Sequence, residues 1–305
     1  SAISLFTNGM DMVQASNILG VDVMTGHWEF TFGEEQFLDN LSKFNGEFVA
    51  NNVFLNDEAI FNDIQAYNDE NHYQKPYTIK ELNGRQIAVI GQAFPYTPIA
   101  NPARLVPNLT FGIREQELQT TLDKVKLKHK PDLVVVLSHN GIDVDKKLAS
   151  RVNGIDIILG GHTHDAVPNI IEVKNNSGVT LVANSGCNGK FISAIDIKFS
   201  GKSYTYEYNL IPILSSQIAP NKAMERYINK ISDPYKADLS EIVGYASDTL
   251  YRRSNLNGTF DDLLCDSMNN VLDTQLSLSP GFRWGATLLP NQSISMEDIY
   301  NHTAI

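Results

Sequence analysis

Aliphatic and β-branched runs, each closed by glycine or a polar residue, alternate with segments of helical period over the first two thirds of the chain. Asp132-Leu133-Val134-Val135-Val136-Leu137-Ser138 has no polar interruption, so it reads as a strand covered on both faces. Asp156-Ile157-Ile158-Leu159 repeats the pattern and stops at Gly160-Gly161. Glu115 to His129 carries Leu118, Leu122, Val125 and Leu127 against a charged face and reads as a helix, and Asp145 to Val152 as a shorter one. Helix, strand, helix, strand in close succession is the signature of parallel βαβ units. Upstream, Met10 to Leu19 reads as a helix leading into a short strand, Val21 to Met24. Glu34 to Phe44 reads as a helix, and Phe48 to Phe54 and Arg85 to Ile90 as strands. Asn56 to Tyr77 has no clean period and reads as an insertion, while the four prolines of Pro95 to Pro107 make that stretch a loop.

Downstream, Val179 to Ala183, Ala194 to Phe199 and Tyr204 to Ile213 read as strands, the last two joined by a Ser200-Gly201-Lys202-Ser203 hairpin turn. Ala219 to Ala237 reads as a helix interrupted by Pro234, and the domain boundary is placed there. The expectation is a catalytic domain over 1–215, a helical linker over 216–242 and the beginning of a second domain over 243–305. Composition adds bounds to this α/β reading. At 305 residues, 42% hydrophobic and 19% charged, the chain has room for one large domain or one and part of another. A net charge of −11 leaves no basic stripe for nucleic acid, and no apolar run has the length of a membrane span. Cys187 and Cys265 read as free thiols. The chain opens without Met or a targeting pattern and closes mid-pattern after Asp298-Ile299-Tyr300, so it reads as part of a longer protein.

Histidine changes the picture. Val21–Met24 leads to His27, Leu133–Ser138 to His139, and Ile157–Leu159 to His162 and His164. Strands of one parallel sheet share a carboxyl end, where α/β proteins place ligands, so the four imidazoles are expected to converge. Neutral imidazole is the commonest metal-binding side chain. Asp165 and Asn140 are expected to support the ligands from behind, Asp165 by orienting His164 or His162. His72, His129 and His302 lack this context and read as structural. Imidazoles alone suit zinc, and oxygen ligands would shift preference toward manganese or iron. A two-metal site needs further ligands, and no Asp-x-His or Gly-Asp pair follows a first strand, so the sequence presents half of a dinuclear site. Arg283, between Phe282 and Trp284 with glycines outside, offers a fixed donor for a tetrahedral oxyanion.

Gly160-Gly161-His162-Thr163-His164, with Ser138-His139-Asn140-Gly141 upstream, resembles the calcineurin-like metallophosphoesterase core in its 5′-nucleotidase branch. The tail from Val243 resembles the start of that branch's C-terminal substrate domain. The resemblance implies a layered β-sheet sandwich flanked by helices, followed by an α+β domain. Nucleotidases carry Gly-Asn-His-Glu where this chain has Gly26-His27-Trp28-Glu29. His27 thus stands at the position of the metal-binding Asn, Trp28 at that of the catalytic His, and Thr31 at that of the Asp orienting it.

With Gly-His-Trp-Glu-Phe-Thr, Leu-Ala-Ser-Arg-Val and Ser-Pro-Gly-Phe-Arg-Trp-Gly, the chain is more specifically similar to the SoxB-type thiosulfohydrolases of bacterial sulfur oxidation. That resemblance implies a periplasmic enzyme with two manganese ions (zinc or iron as alternatives), and a substrate thiosulfonate held on a cysteine of a SoxYZ-type carrier protein. His27, His139 and His162 would hold one ion, His164 would help hold the other, and Trp28 and Arg283 would line the sulfonate pocket. The first metal-binding segments of that family would precede Ser1, so the chain by itself is expected to be inactive. Two rivals stay open: a 5′-nucleotidase-like phosphoester hydrolase, with Phe282 and Trp284 stacking a base, and a non-catalytic binding protein on the same fold.

Overall fold

The computed structural model describes residues 2–252, 257–279 and 287–303. Two compact units emerge: residues 16–220, and the first fifteen residues together with the chain from Asn221 onward. The boundaries expected at 215 and 242 therefore move. The first fifteen residues and the helical stretch after Asn221 belong with the C-terminal unit, so 216–242 is not a free linker. The reason is packing. Phe6 sets its ring 4.9 Å from Tyr235 and 5.2 Å from Tyr300, and the Tyr227 hydroxyl donates to the Asp11 carbonyl at 3.1 Å.

The larger unit contains Val23–Met24 (β1), Glu47–Phe48 (β2), Val53–Leu55 (β3), Tyr77–Leu82 (β4), Arg85–Gln92 (β5) and Leu109–Phe111 (β6). It continues with Leu133–Ser138 (β7), Ile157–Gly160 (β8), Ile171–Asn175 (β9), Gly178–Asn184 (β10), Phe191–Ser200 (β11) and Ser203–Pro212 (β12). Six of these form one sheet in the order β4-β5-β7-β8-β10-β9, with β5, β7, β8 and β10 parallel and the two edge strands antiparallel. The apolar runs lie in the middle, as strands buried on both faces must. On one face Ile90, Val136, Ile158 and Val182 pack on Leu118, Leu122 and Val125 of helix Glu115–His129 and on Leu148 and Ala149 of helix Ile142–Arg151. On the other, Val89, Val135, Ile157 and Leu181 pack on Ile195, Ile197, Phe199, Tyr204 and Tyr206 of the β11–β12 hairpin. Each fully buried Leu or Ile contributes about 1.5–3 kcal/mol.

A third cluster, almost wholly aromatic at its centre, joins Phe30, Phe37 and Phe48 to Val53 and Leu109. It supports the turn after β1: a side chain at Gly26 would lie 2.7 Å from the Phe30 ring and 2.9 Å from the Phe48 ring. The strand expected over Phe48–Phe54 is two short pieces, β2 and β3. The insertion contains helix Asp57–Phe61, capped by the Asn56 side chain accepting from the Ala59 N–H at 2.8 Å. The proline-rich stretch holds two short helical turns, Thr97–Ala100 and Ala103–Leu105.

In the smaller unit, Ile242–Tyr245 (β13) pairs antiparallel with Ser293–Ser295 (β14). Helices Thr259–Leu272 and Met296–Thr303 accompany them, around a core of Ala246, Phe260, Leu288 and Ile294. The Arg252 guanidinium and the Asp261 carboxylate form a buried ion pair 2.8 Å apart, and the Ser279 hydroxyl donates to the same carboxylate oxygen at 3.0 Å. His302 stacks on Phe260 at 4.0 Å in this core, a structural role. Among the described residues no helix is long and apolar enough to cross a membrane, and both cysteines are free.

Candidate metal centre

Three turns meet at the carboxyl ends of β1, β7 and β8. Among the described residues, His27, His139 and His162 form one group whose ligating atoms all lie within 4.8 Å of one another. The rings of His27 and His139 stack at 4.2 Å, and His162 stands edge-on to both, at 5.2 and 5.3 Å. His27 Nε2, His139 Nε2 and His162 Nδ1 are buried, with no hydrogen-bond partner among the described residues. Buried polar atoms are normally paired, so three orphans in one place point to a shared ligand. Three nitrogens at about 2.1 Å from one ion stand about 3.4–3.6 Å apart, so the cluster, already within 4.8 Å, closes on an ion when each nitrogen moves by less than about 1 Å. The residues present fit a metal.

Electrostatics agree. Burial, and then the neighbouring imidazoles, hold His27 down to about 2 and His139 down to about 4; His162 is lowered by the same two causes. All three are neutral near pH 7 and offer lone pairs, not protons. His164 is close enough to repel charge on the other three but stands outside their group.

Local structure explains the delivery. His162 and His164 both adopt left-handed φ, 75° and 60°, a conformation costing non-glycine residues about 1–3 kcal/mol. Gly160 and Gly161 make room for protein. A side chain at Gly160 would lie 2.6 Å from Asp145 Oδ2, and one at Gly161 would lie 3.1 Å from His139 Nδ1. The His27 N–H donates to the Glu29 carboxylate, and the Thr97 hydroxyl donates to the His27 carbonyl at 3.3 Å. Burial pushes the Glu29 carboxyl upward.

Trp28 sits with its ring 4.6 Å from that of His27, and its buried indole N–H has no partner among the described residues. Thr31 donates its hydroxyl to the Trp28 carbonyl at 2.7 Å. Asp165 accepts from the Thr163 hydroxyl at 2.5 Å. Asn140 is buried; its backbone N–H donates to Ser138 Oγ at 3.2 Å, and its side chain acts on the Asp145 carboxyl. Arg283 and its flanking aromatics lie outside the described residues. His72 and His129 stand apart, stacked on Phe54 at 4.3 Å and bonded to the Tyr77 hydroxyl at 3.2 Å.

The sequence reading missed Phe94, which stacks on His162 at 4.2 Å and meets His27 edge-on at 4.9 Å. Its place just past the end of β5, at the same sheet edge as the histidines, was the available signal.

No family model matches the chain. It is 26% identical over 266 residues to the trifunctional nucleotide phosphoesterase YfkN of Bacillus subtilis, covering 78% of this chain and 18% of that protein. It is 25% identical over 290 residues to the 5′-nucleotidase of Rattus norvegicus, covering 86% of this chain and 47% of that one. Among solved structures, the Thermus thermophilus sulfate thiohydrolase SoxB, in complex with glycerol, is similar at a TM-score of 0.87 and 30% identity, over 99% of this chain and 53% of SoxB. A 5′-nucleotidase precursor from Thermus thermophilus shares the fold at a TM-score of 0.82 and 22% identity, over 99% of this chain and 62% of that one. The chain thus spans about half the length of SoxB and of the rat nucleotidase. Proteins of this kind bind a dinuclear metal centre, which the histidine cluster suits. The chain belongs to the 5′-nucleotidase/calcineurin-like phosphoesterase superfamily.

Proposed function

We propose that the cluster is the histidine half of a dinuclear-metal hydrolase centre, and that its substrate is a thiosulfonate carried on a cysteine of a SoxYZ-type carrier protein, from which sulfate is released. The observation that carries this reading is Trp28. An indole stands 4.6 Å from the His27 ring, where hydrolysis of a phosphoester calls for an acid to protonate a departing alkoxide. Trp28 has no such proton to give. A thiolate or persulfide leaves without one, because its conjugate acid is far stronger than an alcohol. The similarity to SoxB supports the same substrate class.

A bound pair of divalent ions (manganese in this reading, with zinc or iron as alternatives) supplies Lewis-acid charge and lowers the pKa of the attacking water. The protein's own part is positional. His27, His139 and His162 present neutral nitrogens from three strand ends, and His164 would help hold the second ion. Phe94 covers the His162 ring and keeps water from its far side. The Trp28 indole N–H is a free donor for a sulfonate oxygen. A periplasmic setting goes with a carrier of this kind.

The second reading is 5′-nucleotidase-like phosphoester hydrolysis, favoured by the nucleotide-processing relatives. One assay separates them. The manganese-loaded full-length protein is given a carrier bearing cysteine S-thiosulfonate and, separately, a nucleoside monophosphate, and sulfate and phosphate are measured. Sulfate without phosphate is expected; phosphate without sulfate overturns the proposal in favour of the second reading.

A further inference from the structure

Beneath the histidines, four neighbouring strands end at one level. Gln92 of β5 pairs with Ser138 of β7, Ser138 with Gly160 of β8, and Gly160 with Asn184 of β10. Gln92, Ser138 and Asn184 are buried, so a polar layer replaces the apolar one a level below. Asp145 enters this layer from the first turn of helix Ile142–Arg151, and it is 0% exposed. Its spacing from Leu148, Ala149 and Val152 places it on the helix face that packs on the sheet. An aliphatic residue would suit that face, and burying a carboxyl there is costly unless it is used.

Its contacts show a use. The Ser138 hydroxyl donates to Asp145 Oδ1, and the same hydroxyl accepts from the Asn140 N–H at 3.2 Å. Those two residues flank His139. The Asp145 N–H donates to the Gly141 carbonyl at 2.9 Å, which closes the turn. Asp145 Oδ2 lies against Gly160, so close that a methyl there would come within 2.6 Å. Gly160 opens the Gly-Gly pair that delivers His162. The same helix start also reaches the second turn, where the Ile142 N–H donates to Thr163 Oγ1 at 3.1 Å, between His162 and His164.

We propose that Asp145 is a positioning residue of the metal centre: its carboxyl sets the path of the chain after β7 through Ser138 and abuts the end of β8 at Gly160, so that His139 and His162 face one ion. The ladder between β7 and β8 fixes the strand spacing, and Asp145 fixes the direction each turn takes beyond it. Supports of this kind typically account for about 10–100-fold in metal affinity. The proposal rests on the reading of the histidine cluster as a metal site.

The test is Mn²⁺ affinity by titration calorimetry, below the unfolding temperature, for the parent protein and for Ser138→Ala, Asp145→Ala and Asp145→Asn. Ser138→Ala and Asp145→Ala are expected to weaken binding about 10–100-fold. Asp145→Asn, which keeps an acceptor for the Ser138 hydroxyl, is expected to stay closer to the parent than either alanine variant. A merely structural role would lower the melting temperature and leave the affinity of the folded protein unmoved, and that result overturns the proposal. If Asp145→Ala does not fold, Ser138→Ala decides. A parent that takes up no ion overturns the metal-site reading and this proposal together; a parent that binds while its variants match it overturns this proposal alone.

Discussion

Gly160→Ala tests the architecture at its tightest point. The added methyl would stand 2.6 Å from Asp145 Oδ2 and 3.3 Å from the Ala183 carbonyl. Real Cβ atoms do not come that close to a carboxylate oxygen, so Asp145 must retreat or the end of β8 must lift. Asp145 has nowhere to go, since it is fully buried and held to Ser138. Overpacking of this kind costs about 1–3 kcal/mol. At about 2 kcal/mol in a unit of about 200 residues, the melting temperature falls by about 4–8 °C. Because the displaced groups carry His139 and His162, Mn²⁺ affinity is expected to fall as well. The control is Gly244→Ala, where an added methyl meets nothing within 4 Å; a change within about 0.5 kcal/mol is expected there. The sharper check is a double-mutant cycle. In an Asp145→Ala background the clash partner is gone, so the second substitution should cost less, with a coupling energy of about 1 kcal/mol or more. Thermal denaturation of the metal-free protein measures it. Additive effects, or a Gly160→Ala protein as stable as its parent, would refute the claim that glycine is there to admit Asp145.

Three further outcomes are expected. His72 is buried on Phe54, and burial first, then the Arg114 charge, lower it to about 4. Below pH 6.5 the unfolded chain takes up a proton that the fold refuses, so stability is lost as pH falls from 6.5 toward 4. In chemical denaturation, His72→Asn should remove about 1.4 kcal/mol per pH unit from that slope, and an unchanged slope counts against the assignment. Asp261→Ala strips the partner from buried Arg252 and should cost about 3–5 kcal/mol; a loss below about 1 kcal/mol would mean that the pair is not desolvated in solution. Trp28→His restores a proton donor beside His27. In the metal-loaded full-length protein it should raise phosphoester cleavage about 10²-fold or more. Sulfate release unchanged, with no gain on a phosphoester, sinks the leaving-group argument.

The parts of the fold visible in sequence were those whose pattern answers to one cause. Leu133–Ser138 and Ile157–Gly160 are buried on both faces, and an apolar run suffices to mark them. The edge strands Tyr77–Leu82 and Ile171–Asn175 escaped because one side meets solvent and their residues are half polar. The placement of residues 2–15 with the C-terminal unit depends on aromatic contacts more than two hundred positions apart, which no local period reveals. His139 and His162 were legible as neighbours because β7 and β8 are parallel and share an end. β1, by contrast, pairs with β2 in a separate two-stranded sheet, so the arrival of His27 beside them did not follow from that pattern. The use made of Gly160 and Gly161 was not legible, since a glycine admitting Asp145 and one forming a turn look alike until the neighbour is known. Asp145 itself was half legible, as a carboxylate on the apolar face of its own helix.

The central claim is that His27, His139 and His162, from three separated stretches of chain, share an ion. Anomalous diffraction from crystals soaked in Zn²⁺, a strong scatterer with short bonds to imidazole, addresses it directly. The expected result is a peak about 2.1 Å from one nitrogen of each ring. A map with no peak among the three rings, or a peak held elsewhere with the rings apart, would contradict it.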